Sequence, residues 1–313
     1  MTTLLVANNG GHVKQLHSWL PRLGLEGDRV WVTVRAPQTT ALLAGEQVCW
    51  VDYPDARDYR ALVRHALATR HLFRRHRFST AVSTGASLAL SVLPQAAARG
   101  VDTRFIESAT RFEGPSMAGR VLARVPRVRV YTQYEHLTSE RWRYGGSIFD
   151  GFTAAPGAEP LPERPLRVVV TVGSTGAYGF RRLLDRMVQV LPADAEVLWQ
   201  TGSTDVTGLD VEARPAVPSD ELAAAVAAAD VVVAHAGTGS ALGALEAGKF
   251  PLLVPRRTAH REHVDEHQGE IARALGERGL ALVREADEIT LTDLHRAATT
   301  TVQRLQAPPL FAW

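Results

Sequence analysis

The chain has 313 residues, 45% of them hydrophobic and 22% charged, which is the composition of an ordinary globular protein of about two domains. No run approaches ~18 consecutive apolar residues, so we expect no transmembrane helix. The single cysteine, Cys49, excludes an intrachain disulfide and a cysteine-rich metal site. The N-terminal residues lack the basic start of a signal peptide, and we therefore expect a cytoplasmic protein.

Charge is distributed unevenly along the chain. Residues 1–155 hold 20 Lys and Arg against 12 Asp and Glu, whereas the remainder holds 15 against 21. A basic half indicates an anionic partner, such as a phosphate-bearing acceptor or a membrane surface at which the protein is peripheral; a solvated arginine-rich surface is the alternative. The arginines of residues 70–77 fall on a helix face without a recognisable recognition module, so we expect no nucleic-acid partner.

The first half alternates apolar runs of strand length with segments of helical spacing. The clearest helix is predicted over Asp55–Arg75, where apolar residues share one face. Such alternation predicts an α/β fold, with parallel strands covered by helices on both faces. Strands are predicted at Leu4–Ala7, Val30–Val34, Val48–Val51, Ala81–Val82, Arg104–Ile106 and Val128–Tyr131.

Residues 151–165 contain four prolines and two glycines, which cannot continue a helix or a central strand, and they predict a linker. A second alternating set follows, and we predict two Rossmann-like domains, residues 1–155 and 156–313. Strands are predicted at Leu166–Val172, Glu196–Gln200, Val231–Ala234, Leu252–Val254 and Leu280–Val283, and helices near 179–190, 220–229 (with Ser219 as N-cap), 240–248, 262–277 and 292–304.

The apolar tail Ala307–Trp313 is expected to dock on the protein rather than on a membrane.

Two small-residue turns follow predicted strands at the place where doubly wound sheets bind ligands. In the first half the turn is Asn8–His12, whose Gly10 and Gly11 let a ligand approach the backbone closely. His12 could act there as a general base, because its ordinary pKa lies near neutrality. In the second half the turn is Thr171–Gly176, which could contact phosphate; in both places a plain tight turn is the alternative.

The third motif, His235–Ser240, follows a strand and opens a helix, whose N-terminal N–H groups can hold an anion. Arg256 and Arg257 follow the next strand, and the planar fork of arginine suits a diphosphate. Residues 237–243 also resemble a dinucleotide fingerprint, but the last glycine is one residue late. Residues 263–267 match an inverted zinc-protease motif without an evident third ligand. A polar helix start with no ligand is a further alternative.

These motifs read H-A-G-T-G-S at His235–Ser240, A-L-E-A-G-K at Ala244–Lys249, P-R-R at Pro255–Arg257 and E-H-V-D-E-H-Q at Glu262–Gln268. With them the chain resembles the family 28 glycosyltransferases, which have the two-domain GT-B fold. The second half is similar to the catalytic subunit of the eukaryotic two-subunit N-acetylglucosaminyltransferase that acts on dolichol-linked diphosphate sugars, and looks closer still to bacterial polysaccharide homologues.

The first half resembles the partner subunit that anchors to the membrane and recruits the acceptor, so the chain looks like a natural fusion of the two. It departs from the pattern in three ways: Gly243 stands where a ribose-associated glutamate is usual, the N-terminal membrane anchor is missing, and Glu266 replaces an aspartate. The matching residues are Gly10–His12, Val82–Gly85, Phe105–Ser108, Arg111, Ser116, Gly119, Arg120 and Gln133.

The resemblance implies an inverting, metal-independent transfer of a hexose-type sugar from a UDP-sugar, without a cofactor. UDP-N-acetylglucosamine is the first donor that it suggests, and the reaction would take place in a cleft between the two domains. The acceptor would be a hydroxyl of a glycan, a polyprenyl-diphosphate sugar or a natural product, and the oligomeric state stays open. A non-catalytic nucleotide-sugar-binding partner subunit is the alternative. The resemblance implies a base, His12; acceptor-side residues Gly10, Gly11, Glu107, Ser108 and Arg111; and donor-binding residues Gly173, Ser174, His235, Gly237, Thr238, Gly239, Ser240, Glu246, Arg256, Glu262, His263, His267 and Gln268.

Overall fold

The protein is described by a computed structural model that covers residues 2–52, 59–157, 161, 163–173, 178–263 and 266–313. Internal contacts divide the chain into two units, Phe149–Pro308 and a first unit made of Met1–Ile148 with Pro309–Trp313. The division falls seven residues before the predicted boundary at 155, and it assigns the last five residues to the first unit rather than to the second.

The first unit is a doubly wound sheet. Its described strands form one parallel seven-stranded sheet in the order β3-β2-β1-β4-β5-β6-β7, so that the strand order reverses between β1 and β4. Strands and helices are β1 Thr2–Ala7, α1 Gly11–Trp19, β2 Arg29–Val34, α2 Pro37–Leu42, β3 Gln47–Val51, α3 Tyr59–Thr69, α4 Leu72–Arg75, β4 Phe78–Gly85, α5 Ser87–Ala98, β5 Asp102–Ile106, α6 Met117–Leu122, β6 Val128–Thr132 and β7 Trp142–Tyr144.

The central strands of this sheet are buried on both faces, which explains their continuous apolar runs. In β1, Leu4 and Leu5 are fully buried and point to opposite faces, and β2 continues the pattern. Helix α5 packs between α3 and α6 on one face of the sheet. The predicted helix Asp55–Arg75 is seen as α3 and α4, and its residues 55–58 lie outside the described part of the chain.

The second unit repeats this topology. Its described strands include one parallel six-stranded sheet in the order β11-β10-β9-β12-β13-β14, which reverses between β9 and β12. Strands and helices are β8 Phe152–Pro156, β9 Arg167–Thr171, α7 Arg181–Val190, β10 Glu196–Gln200, β11 Ala213–Arg214, α8 Ser219–Ala228, β12 Val231–His235, α9 Thr238–Glu246, β13 Leu252–Val254, α10 His267–Glu277, β14 Leu282–Val283, α11 Leu291–Ala298 and β15 Thr300–Arg304.

Three predictions for this unit were wrong. The stretch predicted as a linker contains β8, which pairs antiparallel with β15, and β15 is the segment predicted as the end of the last helix. Thr300, Thr301 and Val302 are β-branched and gain cross-strand partners there, which outweighs helix continuation. Ser219 is the first helical residue of α8 rather than its N-cap, because Pro218 occupies the cap position.

The C-terminal tail docks on the first unit, as expected. Phe311 is 4% exposed, and its ring lies edge to face with those of Trp19 and Tyr131 at centroid distances of 4.9 and 5.4 Å. The indole of Trp313 donates to the Leu23 carbonyl at 2.8 Å. Gly145 is required beside the tail, because a Cβ there would overlap the Phe311 ring.

Candidate functional site

The two glycine-containing turns of the second unit both lie at the switch point of its sheet. Thr171 ends β9 and leads to Gly173, while His235 ends the adjacent strand β12 and leads to Gly237. The carboxyl ends of β9 and β12 therefore bring together residues that are about sixty positions apart in sequence. Ligands of open α/β sheets bind at this position.

Helix α9 presents an uncapped N-terminus at this edge. Gly237 is the N-cap and supplies no side-chain acceptor, and Thr238 is the first helical residue. The Oγ1 atom of Thr238 is buried and has no hydrogen-bond partner within the described part of the chain. An open helix N-terminus beside a buried unpartnered hydroxyl has the chemistry of an anion site.

The imidazole of His235 occupies the space that two glycines leave. A Cβ at Gly173 would lie 2.9 Å from the ring, and a Cβ at Gly237 would overlap it, so the position of His235 requires both glycines. Burial, followed by the nearby cation of Arg256, lowers the pKa of His235 to about 3. The ring is therefore neutral at physiological pH and contributes hydrogen bonding rather than charge.

Arg256 is a buried cation at the same edge, with 4% of its surface exposed. One guanidinium nitrogen, Nη2, donates to the Val172 carbonyl at 2.7 Å, while Nε is buried and finds no partner among the residues that the structure describes. The backbone N–H of Arg256 donates to the side chain of Gln268 at 3.1 Å. Burial lowers the pKa of Arg256, and the charge of Glu262 opposes that shift. A buried cation with one unpartnered nitrogen favours a bound anion, because desolvated charge is costly without a counter-ion.

The segment after Arg256 contains further predicted donor-binding residues. His263 lies against His267, with ring centroids 4.6 Å apart and nearly perpendicular planes, and the Tyr178 ring lies 6.4 Å from that of His263. Helix α10 begins only at His267, so His263 does not share its helical face as the zinc motif requires. Within the described part of the chain, no group of three or more His, Cys, Asp or Glu side chains is arranged to hold a metal ion.

Other predicted donor-binding residues differ in their surroundings from His235 and Arg256. Glu262 is 6% exposed, and its carboxylate is engaged by Arg182 and by the backbone N–H of Arg257, which favours a structural role over contact with the donor. Glu246 is the last residue of α9 and lies ~12 Å along the helix axis from Thr238, at 1.5 Å per residue. Gly239 and Ser240 lie in the first turn of α9, whereas Ser174 falls outside the described residues.

In the first unit, His12 lies at the corresponding switch point between β1 and β4. Gly10, in the left-handed region at φ +74°, is the N-cap of α1, and Gly11 is its first residue. The Nδ1 atom of His12 lies 2.9 Å from the Thr84 carbonyl. Since a carbonyl only accepts, Nδ1 carries the hydrogen and Nε2 of the neutral ring carries the lone pair that a base needs.

The expected acceptor residues Glu107 and Ser108 are buried, with 2% and 3% exposed, and this prediction needs correction. The Glu107 carboxylate accepts from the backbone N–H of Ser116 at 2.8 Å, so it ties the start of α6 to the end of β5. Ser108 accepts from Gln15 at 3.0 Å. These side chains support the loop instead of lining it. Burial raises the pKa of Glu107, and the partly exposed Arg111 is close enough for its charge to oppose that rise.

Two residues that support the candidate site residues, one in each unit, were missed by the sequence motifs. Gln15, on α1, bridges Ser108 and the backbone N–H of Ala109, and it also accepts from Gln133 at 3.3 Å. Arg182, on α7, is the counter-ion of Glu262. A buried glutamine one turn after His12 is a weak signal, and nothing local marks Arg182 among its arginine neighbours.

The second unit matches a known domain. Residues 167–308 match the glycosyltransferase family 28 C-terminal domain. The chain is also similar to the UDP-N-acetylglucosamine–N-acetylmuramyl-(pentapeptide) pyrophosphoryl-undecaprenol N-acetylglucosamine transferase of Ralstonia nicotianae, with 36% identity over 182 residues. That alignment covers 53% of this chain and 48% of the Ralstonia protein. The chain spans about half the length of the curated relatives it matches.

Solved structures share the fold over nearly the whole chain. The MurG of Acinetobacter baumannii aligns with a TM-score of 0.58 at 17% identity, covering 94% of this chain and 88% of that one. The glycosyltransferase of kitacinnamycin aligns with a TM-score of 0.60 at 16% identity, covering 95% and 89%. The predicted GT-B fold of two Rossmann-like units is confirmed. The predicted resemblance to glycosyltransferase family 28 is supported by the match at residues 167–308.

Proposed function

We propose that the protein is an inverting glycosyltransferase that moves a hexose-type sugar from a UDP-sugar to an acceptor hydroxyl. The observation that carries the donor half is the edge of the second sheet, where the open N-terminus of α9 lies with two buried polar atoms, Thr238 Oγ1 and Arg256 Nε. Neither atom has a hydrogen-bond partner among the described residues. A diphosphate offers the acceptors that these groups lack. The similar protein of Ralstonia nicotianae is an N-acetylglucosamine transferase, which supports UDP-N-acetylglucosamine as the first donor to test.

In this proposal Arg256 and the first turn of α9 neutralise the charge that develops on the departing diphosphate. His235 stays neutral and donates or accepts a hydrogen bond beside it. Gln268, which holds the backbone of Arg256, fixes the approach of the guanidinium. His263 and His267 are the proposed contacts to hydroxyls of the donor.

His12 is the proposed base. The acceptor oxygen forms a bond to the anomeric carbon while its hydroxyl proton passes to Nε2 of His12, and the bond from that carbon to the diphosphate oxygen breaks with its electrons going to UDP. Attack from the face opposite the leaving group inverts the configuration. The carbonyl of Thr84 holds the ring in the required tautomer.

The acceptor is proposed to be lipid-linked and to be met at an anionic membrane surface. Among the described residues no helix is long and apolar enough to span a membrane. The proposed contact is a peripheral one. Helix α3 exposes Val63 and Leu67 by 62% and 58%, and α6 exposes Met117 and Val121 by 74% and 42%. Both pairs have the i, i+4 spacing of one helix face, and α3 and α6 flank α5 in one layer.

Charge around these apolar pairs fits the same surface. Arg60 and Arg64 accompany the pair on α3, and Arg120 and Arg124 accompany the pair on α6, all of them exposed. Residues 59–101 contain no acidic side chain. Apolar residues bordered by arginines are typical of surfaces that bind anionic lipid headgroups.

Thermal unfolding in the presence of UDP, GDP, dTDP, NADP and zinc tests the donor proposal. A ligand that binds the native state raises the melting temperature, and we expect a selective rise with UDP. A rise with NADP or zinc and none with UDP would contradict the proposal. Release of UDP from UDP-N-acetylglucosamine in the presence of lipid-linked acceptor separates a transferase from the alternative, a non-catalytic partner subunit, which would bind UDP without turnover.

A further inference from the structure

Within the turn between β13 and α10, Glu262 closes the segment Arg257–Glu262 on itself. The backbone N–H of Glu262 donates to the Arg257 carbonyl at 3.1 Å, and the Glu262 carboxylate accepts from the Arg257 N–H at 3.0 Å. Arg261, just before Glu262, has φ +56°, a left-handed conformation that non-glycine residues rarely adopt. The turn therefore keeps a strained shape, and Glu262 joins its two ends.

This carboxylate depends on an arginine from another part of the unit. The Arg182 guanidinium meets it with two parallel hydrogen bonds of 3.2 Å, from Nε to Oε1 and from Nη2 to Oε2. Only 7% of the Glu262 side chain is exposed, compared with 25% of Arg182. Removal of Arg182 would leave the buried carboxylate without its hydrogen-bonded counter-ion, which is costly.

The residues on either side of this closed turn belong to the proposed donor site. Arg256 immediately precedes Arg257, and His263 immediately follows Glu262. A rotation or displacement of the turn would therefore move the buried guanidinium and the imidazole together.

We propose that Arg182 is a positioning residue, which holds the Arg257–Glu262 turn and thereby places Arg256 and His263 for the donor. This inference rests on the proposed function for the identity of the ligand. Arg182 acts through Glu262 and does not itself touch the sugar nucleotide. The salt bridge, rather than a contact from Glu262 to the donor, accounts for the glutamate at this position of the motif.

The test compares Arg182→Met, Arg182→Lys and a matched control, Arg186→Met. Arg186 lies one turn further along α7 and donates to the Ile289 carbonyl. Among the described residues, no hydrogen bond or ion pair joins it to Glu262. Hydrogen exchange of the ligand-free proteins measures whether the amides of residues 257–262 are held, and calorimetry measures the Kd for UDP. Both arginine-to-methionine variants are expected to lower the melting temperature, Arg182→Met by more, because it leaves a buried carboxylate without its ion pair.

For Arg182→Met we expect faster exchange in residues 257–262 and an increase of about tenfold in the Kd for UDP, since small displacements of positioned groups cost this much. Arg182→Lys keeps the positive charge but loses the two parallel hydrogen bonds of the guanidinium. Its exchange rate and its Kd for UDP should lie between those of Arg182→Met and wild type, and it replaces Arg182→Met in the test if the methionine variant does not fold. Arg186→Met should bind UDP like wild type.

Unchanged UDP binding and exchange in Arg182→Met would overturn the positioning role while leaving the proposed function intact. Equal weakening in Arg182→Met and Arg186→Met would also overturn it, because a general loosening of α7 would then explain the loss. Failure of the wild-type protein to bind UDP would instead overturn the proposed function. The assignment of the Arg257–Glu262 turn to a donor site would then be overturned as well.

Discussion

His12 and Thr84 hold each other through two hydrogen bonds. The ring Nδ1 of His12 donates to the Thr84 carbonyl at 2.9 Å, and Thr84 Oγ1 donates to the His12 carbonyl at 2.8 Å. Gly85 leaves room for this pair, since a Cβ there would lie 3.3 Å from the imidazole. The end of β4 thus fixes both the backbone and the ring of the proposed base.

Replacement of His12 by alanine should therefore remove transfer and spare donor binding. We expect kcat to fall by at least ~100-fold, the usual contribution of a general base, with the Kd for UDP unchanged. Thr84→Val keeps the carbonyl but loses the hydroxyl bond, and should lower kcat only a few-fold. Steady-state UDP release and calorimetry measure the two quantities, and full activity of His12→Ala would refute the assignment of the base.

Glycine at position 237 should be required for donor binding. In Gly237→Ala the new Cβ would overlap the His235 ring, which must then leave its place between the two turns. We expect weaker UDP binding and a lower melting temperature. Gly243→Ala on the same helix is the matched control: nothing lies within 4 Å of its Cβ, so removing a helical glycine should stabilise the protein by about 1 kcal/mol. Tight UDP binding by Gly237→Ala would contradict the proposed role of His235.

The docked tail should stabilise the first unit. Phe311→Ala removes a ring that is 4% exposed among Trp19 and Tyr131, and we expect a loss of ~3 kcal/mol in the free energy of unfolding. Leu310→Ala is the control, because 69% of Leu310 is exposed and its loss should cost under ~0.5 kcal/mol. Urea unfolding measures both, and equal stability of the two variants would mean that the tail does not contribute.

The buried carboxyl of Glu107 should make stability depend on pH. Burial raises its pKa, and the hydrogen bonds from Ser116 and Ser108 oppose that shift without cancelling it. The folded protein then binds the Glu107 proton more tightly than the unfolded chain, in which a glutamate titrates near pH ~4.3. The contribution of Glu107 to the free energy of unfolding therefore falls as the pH rises from the unfolded pKa through the folded pKa. Glu107→Gln has no such proton.

The measurement is urea unfolding of wild type and Glu107→Gln from pH 4.5 to 7. The variant loses some hydrogen bonding to Ser108 at every pH, but its stability relative to wild type should improve as pH rises. Other carboxylates of the chain contribute equally to both proteins and cancel in the difference. A difference that is constant or falls with pH would show that Glu107 is not the group responsible.

The membrane proposal makes its own prediction. The double variant Met117→Ser, Val121→Ser should bind vesicles containing phosphatidylglycerol more weakly than wild type, because inserted apolar surface contributes to such binding. Val188→Ser, at an exposed residue of the second unit, should bind like wild type. Cosedimentation measures binding, and added salt should weaken it as arginine contacts are screened. Equal binding of all three proteins would exclude α6 as the contact.

Much of the architecture could be predicted from local pattern. Buried parallel strands are short apolar runs, so β1, β2 and β12 were predicted to within about two residues of their ends. The turns at Gly10, Gly173 and Gly237 could also be predicted, because glycine marks close backbone approach at strand ends. The strand β15 was missed, since its partner β8 lies over 140 positions earlier and only pairing makes it a strand.

The sequence by itself determined the α/β class, the two parallel sheets and the places where a phosphate-binding turn could form, because these depend on residues near one another in the chain. Only the tertiary structure decided what each polar side chain does. Glu107 and Ser108 became buried supports, and Glu262 acquired Arg182, 80 positions away, as its counter-ion. Burial and ion pairing are set by residues that folding brings together, and no local pattern records them.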